Sequence, residues 1–184
     1  MISFVNGYHA VLDACVLVPM PVCAVLLTLA QEPSMYIPHW SECILTEVSR
    51  ALAKPSFGLS AAQIERRLHY MRSNFEEALV TGYEGLIPSM KCHDDDRHVL
   101  AAAVRCEADA IVTNNSKDFP DHALQEFGIE RLGVDDFLLH QHTLDSLLVR
   151  EKLNELVQIR NWGMGNMLQR LSIFAPRFVD LVRD

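Results

Sequence analysis

The stretch His9-Ala-Val-Leu-Asp-Ala-Cys-Val-Leu17 is a short apolar run with one carboxylate, Asp13, set inside it. Such a run reads as a strand of a parallel sheet covered on both faces, with Asp13 at the strand's C-terminal end. Pro19 and Pro21 punctuate the chain next, and Val22 to Ala30 is apolar for long enough to make a largely buried helix with Pro21 in its first turn. The same alternation recurs. Met35-Tyr-Ile-Pro38 reads as a second short strand, and Trp40 to Ala53 carries Ile44, Leu45, Val48 and Leu52 at helical spacing behind a candidate cap, Ser41. Ser60-Ala-Ala-Gln63 has the capping-box pattern and opens an amphipathic helix through Ile64, Leu68, Met71 and Phe75, with Arg66, Arg67 and Arg72 off that stripe.

Farther along, Leu79 to Thr81 is a weak strand and Gly82 to Cys92 is irregular. The alanines make Asp96 to Cys106 strongly helical, and Ala108 to Thr113 returns to strand character. A short helix from His122 to Phe127, a strand within Gly128 to Val134 and a helix capped by Asp135-Asp136 continue the series. Strands alternating with helices imply an α/β fold, a parallel sheet flanked by helices. From Thr143 the chain is helical, with Leu144, Leu147, Leu148, Leu153, Leu156 and Val157 as its apolar face, and Phe174-Ala-Pro-Arg177 interrupts it. The expected division is an α/β domain over residues 1–140 and a C-terminal helical extension over 141–184. No internal repeat suggests a solenoid.

The 184 residues are 49% hydrophobic and 22% charged, an ordinary globular composition. Five cysteines, odd in number and without a CxxC pair, read as reduced thiols of a cytoplasmic protein. The N-terminal MISFVNGYHAVLDACVLVPM has no basic n-region and its apolar stretch is broken by Asp13 and Pro19, so neither a signal peptide nor a membrane span is expected. A net charge of −8 argues against a broad basic surface for nucleic acid, although carboxylates gathered at a metal site contribute to that total and bound cations invert the local potential.

The carboxylates each have two readings. Asp13 either caps the Val22 helix or nearby amides, or holds a metal, since a charge in an apolar strand needs compensation. Glu47 lies near the apolar stripe of its helix, where it is either a solvated residue or a member of a site. Asp94-Asp-Asp96 precedes an alanine-rich helix and suits an N-terminal cap and dipole. Asn115 and Asp118 follow a strand, either in a plain turn or at the sheet edge where open α/β sheets place their sites. Taken together, they put carboxylates and amides at strand ends and helix starts of one predicted sheet, a pattern suited to hard cations and metal-assisted phosphodiester hydrolysis. The eight histidines and five cysteines show no zinc spacing, and His93 and His98 read as surface or capping residues. There is no glycine-rich phosphate loop and no GxSxG.

The segments AVLDACVLVP, WSECILTEVSRAL and DDDRHVLAAAVRCEADAIVTNNSKDFP, in that order and spacing, resemble the PIN-domain pattern over roughly residues 9–138. DDRHVLAAA followed by ADAIVTNNSKDFP, with the later DDFLL, is similar to prokaryotic PIN proteins related to VapC-type toxins of toxin–antitoxin modules. The resemblance implies a PIN-like sheet and a Mg²⁺- or Mn²⁺-dependent endoribonuclease. By position it assigns catalytic and metal-binding roles to Asp13, Glu47, Asp96 and Asp118, with Asn115 as a further metal ligand. It also implies a small antitoxin partner and a homodimer. Arg50, Arg66 and Arg67 are candidates for guiding the RNA backbone. Two positions depart from the pattern: Cys15 stands where the family often has Asn, and Asn115 where many relatives have Asp. A catalytically silent PIN-fold regulatory module and a DNA-directed nuclease are the alternatives.

Overall fold

The computed structural model describes residues 7–183; the first six residues of the N-terminal segment read above lie outside them. The opening apolar run divides at Asp13. Strand β1 is His9–Leu12, and Ala14–Leu17 then closes a helical turn, α1, with the Val16 and Leu17 amides donating to the Asp13 carbonyl at 3.1 and 3.3 Å. The strand ends at Asp13, as the sequence leads one to expect, and the rest of the apolar run forms a turn of helix. Beyond Asp13, a helical turn satisfies backbone groups that a continued strand would leave without a partner.

Helix α2 (Met20–Ala30) carries Pro21 in its first turn, where proline lacks only an amide that had no partner. Strand β2 is Ile37–His39. Helix α3 (Glu42–Leu52) starts at Ser41, whose side chain accepts from the Ile44 amide and so satisfies one of the helix's orphan donors. Trp40, expected at the start of that helix, is instead fully buried and bridged to Leu79 in parallel, which is all that forms of the weak strand at 79–81. Helix α4 (Ala61–Asn74) has the complete capping box of Ser60 and Gln63 and buries Ile64, Leu68 and Met71.

A short 3-10 turn over Asp94–Asp96 runs into helix α5 (Arg97–Arg105), whose three alanines are wholly buried. Strand β3 (Ala110–Val112), helix α6 (Asp121–Gln125) and strand β4 (Glu130–Leu132) complete the sheet. All pairings are parallel and the order is β2-β1-β3-β4. The chain leaves β1 toward one edge and β3 toward the other, so the crevice beyond the C-terminal ends of these two neighbours is a topological switch point, the place where open α/β sheets bind ligands.

Helix α7 (Val134–Leu144) spans the expected boundary at residue 140. Its N-cap is Gly133, not Asp135 or Asp136. Asp135 instead turns to the end of the chain: its Oδ1 accepts from the Phe178 amide at 2.9 Å, its Oδ2 from Arg177 Nε at 2.8 Å, and Asp136 also pairs with Arg177. Helices α8 (Ser146–Ile159), α9 (Met164–Leu171) and α10 (Pro176–Arg183) follow. Helix α8 buries Val149, Leu153, Leu156 and Val157, whereas Leu144 and Leu147, expected on the same apolar face, are 61% and 72% exposed. The buried ammonium of Lys152 docks α8 on α2, donating to the carbonyls of Thr28 at 3.2 Å and Gln31 at 2.8 Å. A cation at a helix C-terminus satisfies carbonyls that have no intrahelical partner and complements the dipole. Among the described residues no helix is long and apolar enough to cross a membrane.

Candidate functional site

Asp13 emerges from the end of β1 and Thr113 from the end of β3, one residue past the paired Leu12 and Val112. Asp13 is 3% exposed. Its side chain takes neither expected structural role, since α1 begins at Asp13 without a side-chain cap and Pro19 is the N-cap of α2. Instead its Oδ2 accepts from Thr113 Oγ1 at 2.7 Å and from Cys15 Sγ at 3.1 Å. Burial and the charge of Asp13 push the Cys15 thiol up to about 12, so Cys15 remains a neutral donor. The Asn114 amide donates to Cys15 Sγ at 3.3 Å and the Asn115 amide to Thr113 Oγ1 at 3.0 Å, which locks the 113–115 turn onto the same pair. One carboxylate oxygen of Asp13 is thus fixed by the scaffold, and these bonds leave Oδ1 free.

Asp96 closes the 3-10 turn and stands at the N-cap of α5, yet among the described residues its carboxylate makes no capping bond. Its carboxyl is pushed up to about 6, first by burial, then by the charges of Asp13 and Asp118 and to a lesser degree Glu47, against the opposing effect of His93. Three of the acidic residues singled out from the sequence, Asp13, Asp118 and Glu47, therefore lie close enough to act on the fourth, Asp96. A carboxyl in that position is short of positive charge, which a divalent cation supplies. His93, Asp96 and Asp118 offer ligand atoms within 4.8 Å of one another, and His93 Nδ1 is 3.5 Å from Asp96 Oδ2. The Asp118 carbonyl accepts from the His93 amide at 3.0 Å, so backbone joins the two acidic loops as well.

Glu47, half-buried on α3, faces α5, where its Oε1 meets His98 Nε2 at 3.0 Å. His98 is not a surface or capping residue: it is 9% exposed and buried in α5. Asn115 is exposed, with its backbone in the turn that Asp118 closes at 3.1 Å. Asp94 pairs with Arg97 at 2.7 Å, an ordinary surface role. The donor set around Asp96 is dominated by carboxylate oxygens, which suits hard cations such as Mg²⁺ and Mn²⁺.

Residues 9–117 match the PIN domain family. The chain belongs to the PIN-domain family. The match takes in Asp13, Glu47 and Asp96 and stops one residue short of Asp118. This PIN chain is also 56% identical over 64 residues to a protein of Mycobacterium tuberculosis (strain ATCC 25618 / H37Rv) named "Putative ribonuclease VapC50". That likeness covers 35% of this chain and 38% of the relative, so the chain spans well under half the length of the relative it matches. No solved structure matches.

Among residues the sequence reading did not single out, Thr113 has the plainest place in the site of this PIN domain. Its position at the end of a strand, level with Asp13, becomes visible only once β1 and β3 are known to be neighbours. Arg67 moves the other way. It donates to the Leu17 and Val18 carbonyls and so closes the end of α1, a structural task that ties down a side chain expected to guide RNA. Arg50 and Arg66 are exposed.

Proposed function

We propose that this PIN-domain protein is a Mg²⁺- or Mn²⁺-dependent endoribonuclease, the toxin of a type II toxin–antitoxin pair. The observation that carries the reading is the convergence of the charges of Asp13, Asp118 and Glu47 on the carboxyl of Asp96 at the switch point of the sheet. The likeness to a protein named as a ribonuclease of the VapC type supports RNA as the substrate and a small antitoxin as the partner. Asp13, Glu47, Asp96 and Asp118 hold the cation, and Asn115 completes its surroundings through its amide. When bound, the metal supplies a lowered pKa for the attacking water and balances charge on the phosphate. Thr113 and Cys15 keep Asp13 oriented by occupying its Oδ2. Arg50 and Arg66, exposed on α3 and α4, are available to the RNA backbone.

The catalytic chemistry belongs to residues 1–140, and residues 141–184 are a helical extension that supplies packing. The protein acts in the cytoplasm, as its free cysteines suit, and works as a homodimer. The deciding experiment is cleavage of structured and unstructured RNA, with single-stranded DNA as the control, in Mg²⁺, in Mn²⁺ and in chelator. Cleavage of RNA only with metal supports the reading; metal-dependent cleavage of DNA alone, or of neither, overturns it.

A further inference from the structure

Beside the carboxylates grouped around Asp96, three side chains of mixed chemistry meet between α3 and α5. Cys43 and Glu47 are four residues apart on α3 and so stand on one face a turn apart, while His98 comes from the first turn of α5. The Cys43 thiol, a Glu47 carboxylate oxygen and a His98 ring nitrogen lie within 4.8 Å of one another. His98 is nine-tenths buried, with Nε2 directed at Glu47 Oε1.

We propose that Cys43, Glu47 and His98 form a three-donor site for a borderline transition-metal ion, Zn²⁺ being the type, separate from the hard-cation centre at Asp13, Asp96 and Asp118 but sharing Glu47 with it. Sulfur and imidazole select Zn²⁺ or Co²⁺ over Mg²⁺, which prefers oxygen and gives up its water reluctantly. Tetrahedral Zn²⁺ with bonds of about 2.0–2.3 Å sets its donors roughly 3.3–3.7 Å apart. The 3.0 Å separation of His98 Nε2 and Glu47 Oε1 needs to open by only a few tenths of an ångström, and the Cys43 thiol already lies within 4.8 Å of a ring nitrogen of His98 and a carboxylate oxygen of Glu47. Three protein donors leave the fourth position to water. On binding, the thiol proton passes to solvent and the imidazole proton sits on Nδ1, which is buried without a hydrogen-bond partner among the described residues. The usual orienting carboxylate or carbonyl behind a ligating histidine is therefore missing, and the site is weaker than a structural zinc site. Occupancy would draw Glu47 away from the hard-cation centre, so on the nuclease reading Zn²⁺ acts as an inhibitor. The site itself does not rest on that reading.

Titration of the full-length protein with Co²⁺ tests it without reference to RNA. The wild type is expected to show a thiolate-to-cobalt charge-transfer band that saturates at one equivalent, is displaced by Zn²⁺ and is unaffected by excess Mg²⁺. Cys43→Ser abolishes the band and weakens Zn²⁺ binding by about 10-fold or more, whereas Cys15→Ser retains both. Cys43→Ala, with a thermal melt to show that it is folded, gives the same loss. A wild type without the band, a band that survives Cys43→Ser, or a band lost in Cys15→Ser overturns the proposal.

Discussion

Thr113 Oγ1 donates to Asp13 Oδ2 at 2.7 Å, joining the ends of two parallel strands that lie 100 residues apart in the chain. The bond is buried and its acceptor is a carboxylate, so it belongs to the stronger class, worth about 1.5–3 kcal/mol. Thr113→Val keeps the shape and removes the donor. The variant is expected to unfold about 1–2 kcal/mol more easily, because Cys15 still bonds the same oxygen. Its metal-dependent cleavage should fall about 10-fold or more as Asp13 loses its fixed orientation. Denaturant melts and cleavage rates check the two effects separately; unchanged values in both would remove Thr113 from the site's support.

The Asp96 carboxyl, raised from 3.8 to about 6 by burial and by Asp13, Asp118 and Glu47, gives the metal-free protein a titration near neutrality. The sign follows from the direction: below about pH 6 Asp96 is largely protonated and competes with a cation, and above it the carboxylate is ready. Apparent affinity for Mg²⁺ or Mn²⁺ should therefore rise as pH increases through 6, and binding near pH 6 should release about half a proton. Calorimetry in two buffers of different ionisation enthalpy measures that release, and Asp96→Asn should remove it.

His39, 7% exposed and stacked on His9, has its pKa lowered from 6.5 to about 4 by burial and then by His9. The folded protein resists a proton that the unfolded chain accepts, so stability is full above about pH 6.5 and declines as pH falls toward 4. His39→Gln should flatten that part of the stability profile. A wild-type denaturation midpoint that does not move between pH 6.5 and 4 would contradict the burial of a neutral His39.

Lys152 anchors the C-terminal helices by donating to the carbonyls of Thr28 and Gln31. Lys152→Met should destabilise the protein by about 1–3 kcal/mol, because the Gln31 carbonyl loses the ammonium and the Thr28 carbonyl keeps only the Gln31 amide at 3.3 Å. Truncation near residue 142 should uncover the apolar surface that Val149, Leu153 and Leu156 now cover and cause aggregation, while metal binding survives in outline. Light scattering and metal titration of the truncated chain separate these outcomes. A soluble, monomeric truncated protein specifically unable to bind metal would place ligands beyond residue 142.

The sheet was legible because its strands are short apolar runs between helices with clear caps. Ser41 and the Ser60–Gln63 box fix two helix starts by local hydrogen bonding alone. Where pairing decides, the sequence is less informative: Asp13 marks the end of the first strand, but nothing local marks the helical turn that the apolar residues 14–17 form beyond it. Asp135 reads as a cap, and it is one, but for α10 some 40 residues later rather than for its own helix. The candidates Asp13, Glu47, Asp96 and Asp118 come from family resemblance, whereas the bond of Thr113 to Asp13 and the burial of His98 depend on which elements become neighbours. The trio Cys43, Glu47 and His98 has no zinc-like spacing, because its third member comes from a helix some 50 residues away.

Whether the acidic cluster cuts RNA by holding a divalent cation is decided by comparing wild type, Asp13→Asn and Asp96→Asn on RNA with Mg²⁺ or Mn²⁺ and with chelator. Each amide keeps the shape of the carboxylate but removes a charge the cation needs. The wild type is expected to cleave RNA only when metal is present, both folded variants to lose about 100-fold or more, and neither variant to inhibit growth when expressed. Cleavage that persists in chelator, or full activity in both variants, would contradict it.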